Sequence, residues 1–318
     1  AYTTIPKSSD YFNTKLYTGN GSTQSITGVG FQPDLTWIKS RNMNYDQNLF
    51  DVIRGTTKRL QANFASAETT VANSVTAFGT DGFTVGSDAG VNGVHTFASW
   101  NWLANGTGVS NTSGSITSTV SASATSGFSI VSFTGTGANA TVGHGLGVAP
   151  KMVILKSRAN AYNWGVYHAS IGATKYLRLN ATNAEATSSA YFQDTAPTSS
   201  IITLGSDLNI NDSGNMIAYC FADVQGFSKF GSYLGNGNAN GTFVYTGFKP
   251  AFVLTKASSD TKDWVMLDNK RDSFNLMNKK LFPDNSDSEY SGQNACDFLS
   301  NGFKLRDNAT NAFAINDS

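Results

Sequence analysis

One arrangement of glycine, proline and lysine occurs three times in this chain, and it limits the possible folds more than any other feature. Gly19-Asn20-Gly21 leads to Phe31-Gln32-Pro33, Gly135-Thr136-Gly137 to Val148-Ala149-Pro150, and Gly235-Asn236-Gly237 to Phe248-Lys249-Pro250. The three prolines lie 117 and then 100 residues apart. After each, the second and fourth positions are apolar (Leu35 and Trp37, Met152 and Ile154, Phe252 and Leu254) and the sixth is lysine: Lys39, Lys156, Lys256. Position eighteen is Asp51, His168 or Asp268, each preceded by two apolar residues. The offset of 117 also relates Lys58 to Lys175, Asn63 to Asn180 and Glu68 to Glu185. One supersecondary blueprint has been copied along the chain.

Within each copy, short period-2 runs of Val, Ile, Thr, Phe, Tyr and Trp alternate with Gly/Asn/Ser/Asp turns, the pattern of half-buried antiparallel strands. Proline suits a position just ahead of a strand, where its missing N–H costs no ladder bond. The expected fold is therefore all-β: three tandem antiparallel β-sandwiches of jelly-roll or lectin-like type. The boundaries are 1–105, a Gly/Ser/Thr-rich linker over 106–126, then 127–225 and 226–318. Repeats one and two close on aromatic-x-aromatic strands, Trp100-Asn101-Trp102 and Tyr219-Cys220-Phe221, whereas repeat three reaches Asn316-Asp317-Ser318 without one. The linker near residues 223–230 is the shorter, so repeats two and three should lie closer together than one and two. Little helix is expected; Ser66–Ala72 has helical composition for a turn or two but no sustained 3.6 period.

Charge narrows the function classes. There are 22 Lys+Arg against 22 Asp+Glu, balanced within each repeat as 7 and 7, 5 and 5, and 10 and 10. No segment presents the basic face that phosphate backbones attract, so no nucleic acid is expected as a partner. Two cysteines, Cys220 and Cys296, cannot build a disulfide framework or a structural zinc site and read as small buried residues. No stretch reaches the ~20 apolar residues of a membrane span, and Ala1–Lys7 lacks the charged and apolar regions of a secretory signal. Synthesis in a cytoplasm without export is the expectation.

Residues able to do chemistry are sparse. With only His95, His144 and His168, any triad or metal cluster would need one of them. His168 fills a slot that is aspartate in the sister repeats, and His144 lies in a Gly-His-Gly turn. The acids Asp260, Asp263 and the run 284–289 read as solvated turns rather than as a glycosidase pair. Asp207–Gly214 alternates oxygen ligands with apolar residues but lacks the terminal glutamate of a helical calcium loop, so a hairpin tip is expected. No catalytic residue, metal or cofactor is expected, and the chain reads as a non-enzyme.

Several phrases resemble one family. Gly28-Val29-Gly30-Phe31-Gln32-Pro33-Asp34-Leu35-Thr36-Trp37-Ile38-Lys39, Leu49-Phe50-Asp51-Val52-Ile53-Arg54-Gly55 and Gly79-Thr80-Asp81-Gly82-Phe83-Thr84-Val85-Gly86 are similar to repeats in tail-fibre or appendage proteins of marine tailed bacteriophages. The resemblance implies a structural virion protein that attaches to other virion proteins, forms a homo-oligomer and contacts host-surface polysaccharide. On that reading, Tyr45, Asp46, Tyr162, Trp164, Asp263 and Trp264, at related places in the three copies, are the candidate glycan contacts, because sugars stack on exposed aromatic faces beside polar groups. The alternative is a capsid or neck decoration protein with protein contacts alone. A polysaccharide depolymerase and a bacterial surface adhesin fit less well, the first for want of a carboxylate cleft and the second for want of a secretion signal.

Overall fold

The computed structural model describes residue 3 and residues 5–317. Ala1, Tyr2 and Thr4, from the stretch read for an export signal, and Ser318, the last residue of repeat three, lie outside them.

In repeat one, strands β1 (Phe12–Thr18), β2 (Gln24–Thr27), β3 (Leu35–Ser40), β4 (Asn48–Asp51), β5 (Lys58–Gln61), β6 (Thr69–Thr70), β7 (Val75–Gly79), β8 (Gly82–Val85) and β9 (Thr96–Trp102) follow in order. They form a six-stranded sheet, β1-β9-β3-β4-β5-β6, and a three-stranded one, β2-β8-β7. Next come β10 (Val109–Asn111), β11 (Ser118–Ser123), β12 (Phe128–Thr134), β13 (Ala140–Gly143), β14 (Met152–Ser157), β15 (Gly165–His168), β16 (Lys175–Arg178), β17 (Ala186–Thr187), β18 (Ile201–Leu204) and β19 (Asn215–Phe221). Their sheets are β10-β11-β12-β19-β14-β15-β16-β17 and β13-β18. In the last stretch β20 (Phe243–Tyr245), β21 (Phe252–Thr255), β22 (Val265–Asp268), β23 (Cys296–Leu299) and β24 (Gly302–Leu305) give β20-β24-β23 and β21-β22. The protein is thus all-β, built of open antiparallel sheets. Among the described residues no helix is long and apolar enough to cross a membrane.

The recurring residues have recurring jobs. Each proline stands two positions ahead of its strand, β3, β14 or β21. Each first landmark glycine meets a backbone carbonyl so closely that a Cβ would lie 2.0 Å from Gly93 O, Asp212 O or Asp317 O. The second takes a left-handed φ of 71°, 66° or 61°, where glycine is unstrained. Each lysine turns its Nζ onto two carbonyls of the following turn: Ser40 O and Met43 O, Ser157 O and Asn160 O, Ala257 O and Asp260 O, at 2.7 to 3.2 Å. Burial lowers all three lysines to about 8.

Two kinds of core follow from strand alternation. Ile38, Phe50, Val75, Phe83 and Phe97 pack locally in repeat one, and comparable local clusters form around Val153 and Phe192 in repeat two and around Leu267 and Phe298 in repeat three. The opposite faces of the same strands meet in one joint cluster that draws Leu35, Trp37 and Trp100 from repeat one, Ile154, Trp164 and Tyr219 from repeat two, and Trp264 and Met266 from repeat three. β3 and β14 are therefore buried at every position, as strands covered on both faces must be.

Two local expectations need correction. The segment 106–126 is not a free linker: β10 and β11 extend the second large sheet, with Ser118 and Val120 buried by the alternation of a Ser/Thr/Val run. Helix is sparse, as expected, and Ser66–Ala72 holds β6. Asp207–Gly214 is no hairpin tip but a one-turn helix, Leu208–Asn211, capped by Asp207 Oδ1 accepting the Asn209 N–H at 2.9 Å.

Candidate functional site

Of the six candidate glycan residues, Trp164 and Trp264 bond across the seams between repeats. Fourteen residues after the prolines stand Gln47, Trp164 and Trp264. Gln47 Nε2 donates to Phe282 O (2.6 Å), Trp164 Nε1 to Gln61 O (3.0 Å) and Trp264 Nε1 to Arg178 O (2.8 Å). Repeat one is thereby pinned to repeat three, two to one, and three to two. The three bonds close a ring within a single chain. Parallel to it, the backbone N–H of Glu68 donates to Arg158 O (2.9 Å), that of Glu185 to Ser258 O (2.7 Å) and that of Glu289 to Arg41 O (2.7 Å). In two of these seams the glutamate side chain also grips the arginine, Glu68 with Arg158 at 3.0 Å and Glu289 with Arg41 at 2.7 Å.

A third set of contacts joins the repeats in the same cyclic sense. Tyr219 Oη donates to Asp51 Oδ2 at 2.7 Å, and Trp100 Nε1 donates to Asp268 Oδ2 at 3.1 Å. Each of these aspartates is also held by its own arginine, Arg54 or Arg271, so the carboxylates are paired as well as buried. Repeat two has Ile171 where the others have these arginines, and His168 where they have aspartate. With no cation there, a buried carboxylate would be uncompensated, which accounts for the histidine.

These positions decide what the candidates can do. Trp164 and Trp264 are 0 % and 3 % exposed, with their indole N–H groups spent on the seam, so their faces are closed to a sugar. That corrects the expectation placed on them, and the reason is the burial of flat apolar area that a tryptophan favours. Tyr45 and Tyr162 are half-buried, Tyr45 resting edge-on against His95 at 5.7 Å. Asp46 accepts from Gln61 Nε2 (2.7 Å) and Asn63 Nδ2 (3.0 Å), which ties it into the turn. The acidic run is not simply solvated either, since Glu289 is clasped by Arg41 and Arg271. His144 is buried, its Nε2 against Thr198 O at 3.1 Å.

Asp263 meets Asp284. In the sister repeats the equivalent pairs are Asp46 with Asn63 and Asn163 with Asn180, where the amide donates at 3.0 and 2.9 Å. Here two acids face each other, and Asp284 Oδ2 is buried without a donor unless one proton lies between them. Burial, and then the charge of Asp263, pushes Asp284 up to about 8.

Sequence reasoning missed Gln47, Arg41, Arg158 and Glu289 as seam residues. The signal was present in the fixed offset from the proline, which puts Gln47 in register with both tryptophans.

A cavity of about 1160 Å³ opens into the joint core, lined by Phe12 and Trp102 of repeat one, Phe128 and His168 of repeat two, and Phe230 and Phe252 of repeat three.

These observations define an all-β protein whose repeated segments are locked to one another by buried bonds. The chain belongs to the family described as Domain of unknown function (DUF7483), whose model matches residues 7–318. No curated protein and no solved structure matches it.

Proposed function

We propose that this chain is a non-enzymatic structural protein of a tailed-bacteriophage virion, a tail fibre or surface appendage, in which three tandem β-sandwich modules act as one rigid block. The observation that carries the reading is the closed ring of equivalent bonds among Gln47, Trp164 and Trp264. Such a ring spends the best-placed aromatic and amide groups on holding modules in register, a use that fits load-bearing rather than turnover. The resemblance of the Pro33 and Asp51 phrases to appendage repeats supplies the virion context.

A second reading, a capsid or neck decoration protein with protein contacts alone, is favoured by the loss of Trp164 and Trp264 as sugar platforms. Exposed apolar side chains at Leu234 (86 %), Tyr245 (67 %) and Phe274 (85 %) also suit protein contacts. Cryo-electron microscopy of the purified particle separates the two. Density for this chain on a tail appendage is the expected result, density on the shell establishes the second reading, and absence of the protein from intact particles rules out both.

A further inference from the structure

Seven arginines occur in the chain, and six of them hold a carboxylate: Arg41, Arg54, Arg59, Arg158, Arg271 and Arg306. Arg178 holds none among the described residues, and its Nε is shut from solvent without a hydrogen-bond partner. The repeat register shows how it came to be alone. The offset of 117 pairs Arg178 with Gln61 and Asn163 with Asp46. In repeat one Gln61 Nε2 donates to Asp46 Oδ2 at 2.7 Å. In repeat two the acid is replaced by Asn163, whose Oδ1 accepts from Asn180 Nδ2 at 2.9 Å. Repeat two thus carries a cation where it has lost the matching acceptor. Asp207, whose charge also reaches Arg178, forms no ion pair with it and accepts instead from the Asn209 N–H and Nδ2 at 2.9 and 2.7 Å.

The guanidinium stands in a recess between repeats two and three. Tyr176 and Arg178 of β16 line it with Asn183, Ala184 and Ala186 of the segment that enters β17, and with Thr261 of repeat three. Asn183 and Thr261 are exposed. The volume is about 280 Å³, just below the ~300–1,000 Å³ of drug-sized pockets, which leaves room for one small ring and its substituents.

The surroundings hold this recess in shape. Trp264 Nε1 donates to Arg178 O at 2.8 Å and the Lys262 N–H to Thr182 O at 3.0 Å, so the seam beside it is closed. Tyr176 stacks on Tyr191 with ring centroids 3.6 Å apart, and the Arg178 guanidinium carbon lies 5.6 Å from the centre of the Tyr176 ring. Tyr191 is buried, and its Oη lies close to Arg178 without a hydrogen bond to it. Burial keeps that phenol protonated, so no phenolate neutralises the guanidinium.

We propose that this recess binds a uronic acid unit, with its carboxylate gripped by Arg178, its ring packed against Tyr176 and Ala184, and its hydroxyls bonded by Asn183 and Thr261. A planar guanidinium matches the two oxygens of a carboxylate as a fork. An amide and a hydroxyl both donate and accept, as a hydroxylated ring requires. A neutral sugar leaves the guanidinium unpaired, and inorganic phosphate leaves the tyrosine and the methyl groups without a partner. The polysaccharide that would carry such a unit rests on the appendage reading, whereas a free uronide tests the site without it.

The test uses the 318-residue chain and calorimetric titration with methyl α-glucuronide, methyl α-glucoside, acetate and inorganic phosphate. Saturable 1:1 binding of the glucuronide is expected, with the other three weaker by about tenfold or more. Arg178→Gln reinstates the side chain of repeat one and keeps the backbone carbonyl that Trp264 uses. It should lose about the same factor with its thermal unfolding unchanged. Thr261→Glu sets a competing carboxylate at an exposed position and should weaken binding likewise, which keeps the site testable if the arginine variant folds poorly. Failure of the glucuronide to saturate, or full binding by either folded variant, overturns the proposal. Equal binding of the glucoside, acetate or phosphate overturns the assignment to a uronic acid.

Discussion

An indole at a seam acts twice, through its area and through its single N–H. Trp164→Ala should destabilise the protein by about 3–5 kcal/mol, the usual range for an emptied aromatic site, whereas Trp164→Phe should lose about 1–3 kcal/mol for carbonyls left unpaired. Urea titration followed by circular dichroism reads both, and an alanine variant within 1 kcal/mol of the parent would contradict the seam. Asp284 gives a prediction of opposite sign. Its pKa is raised in the fold, from 3.8 to about 8, by burial and then by the charge of Asp263. The folded state therefore holds a proton that the unfolded chain gives up, and stability falls as pH rises through that window. Asp284→Asn restores the amide found at Asn63 and Asn180. Its stabilisation should be near zero at pH 4 and grow to on the order of 3 kcal/mol by pH 8, and a gain independent of pH would sink the shared-proton account.

At the level of the strand and turn, the closing asparagine shows how much depends on one amide. Asn211 is fully buried, and its side chain bonds Gly205 O and the Thr136 N–H, tying α-turn, loop and strand together. Asn211→Ala should cost about 1–3 kcal/mol per group stranded, and Asn92→Ala a similar amount in repeat one, both measurable by thermal unfolding. Much of this was legible beforehand. The offset from each proline located the strands, the lysines and the position-eighteen pair, because backbone geometry fixes which residue types can stand there. What stayed hidden was orientation between repeats. Alternation in Leu35–Ser40 marks the face bearing Leu35 and Trp37 as apolar but does not say what covers it, so the sequence could set core packing against a sugar platform for Trp164 and Trp264 without showing that their partners lie in other repeats. The Ser/Thr run of residues 118–123 misled for a related reason: small polar residues describe a linker and a strand edge alike until their partner is known.

For the molecule as a whole, the joint core of Trp37, Trp100, Trp164, Tyr219 and Trp264 couples the three repeats thermodynamically. Unfolding should be a single transition, with tryptophan fluorescence and far-ultraviolet circular dichroism coincident. A fragment spanning residues 1–105 should expose the face bearing Leu35, Trp37 and Trp100 and fail to give a cooperative melt, and a sharp, parent-like melt of that fragment would argue for independent modules. The ring also has a mechanical sense. Because Gln47 reaches Phe282 and Arg41 grips Glu289, the first repeat is fastened to the last. Tension applied at the two ends therefore cannot unreel the repeats one after another like links of a chain; it meets that clasp first, and the whole block resists until the clasp gives way.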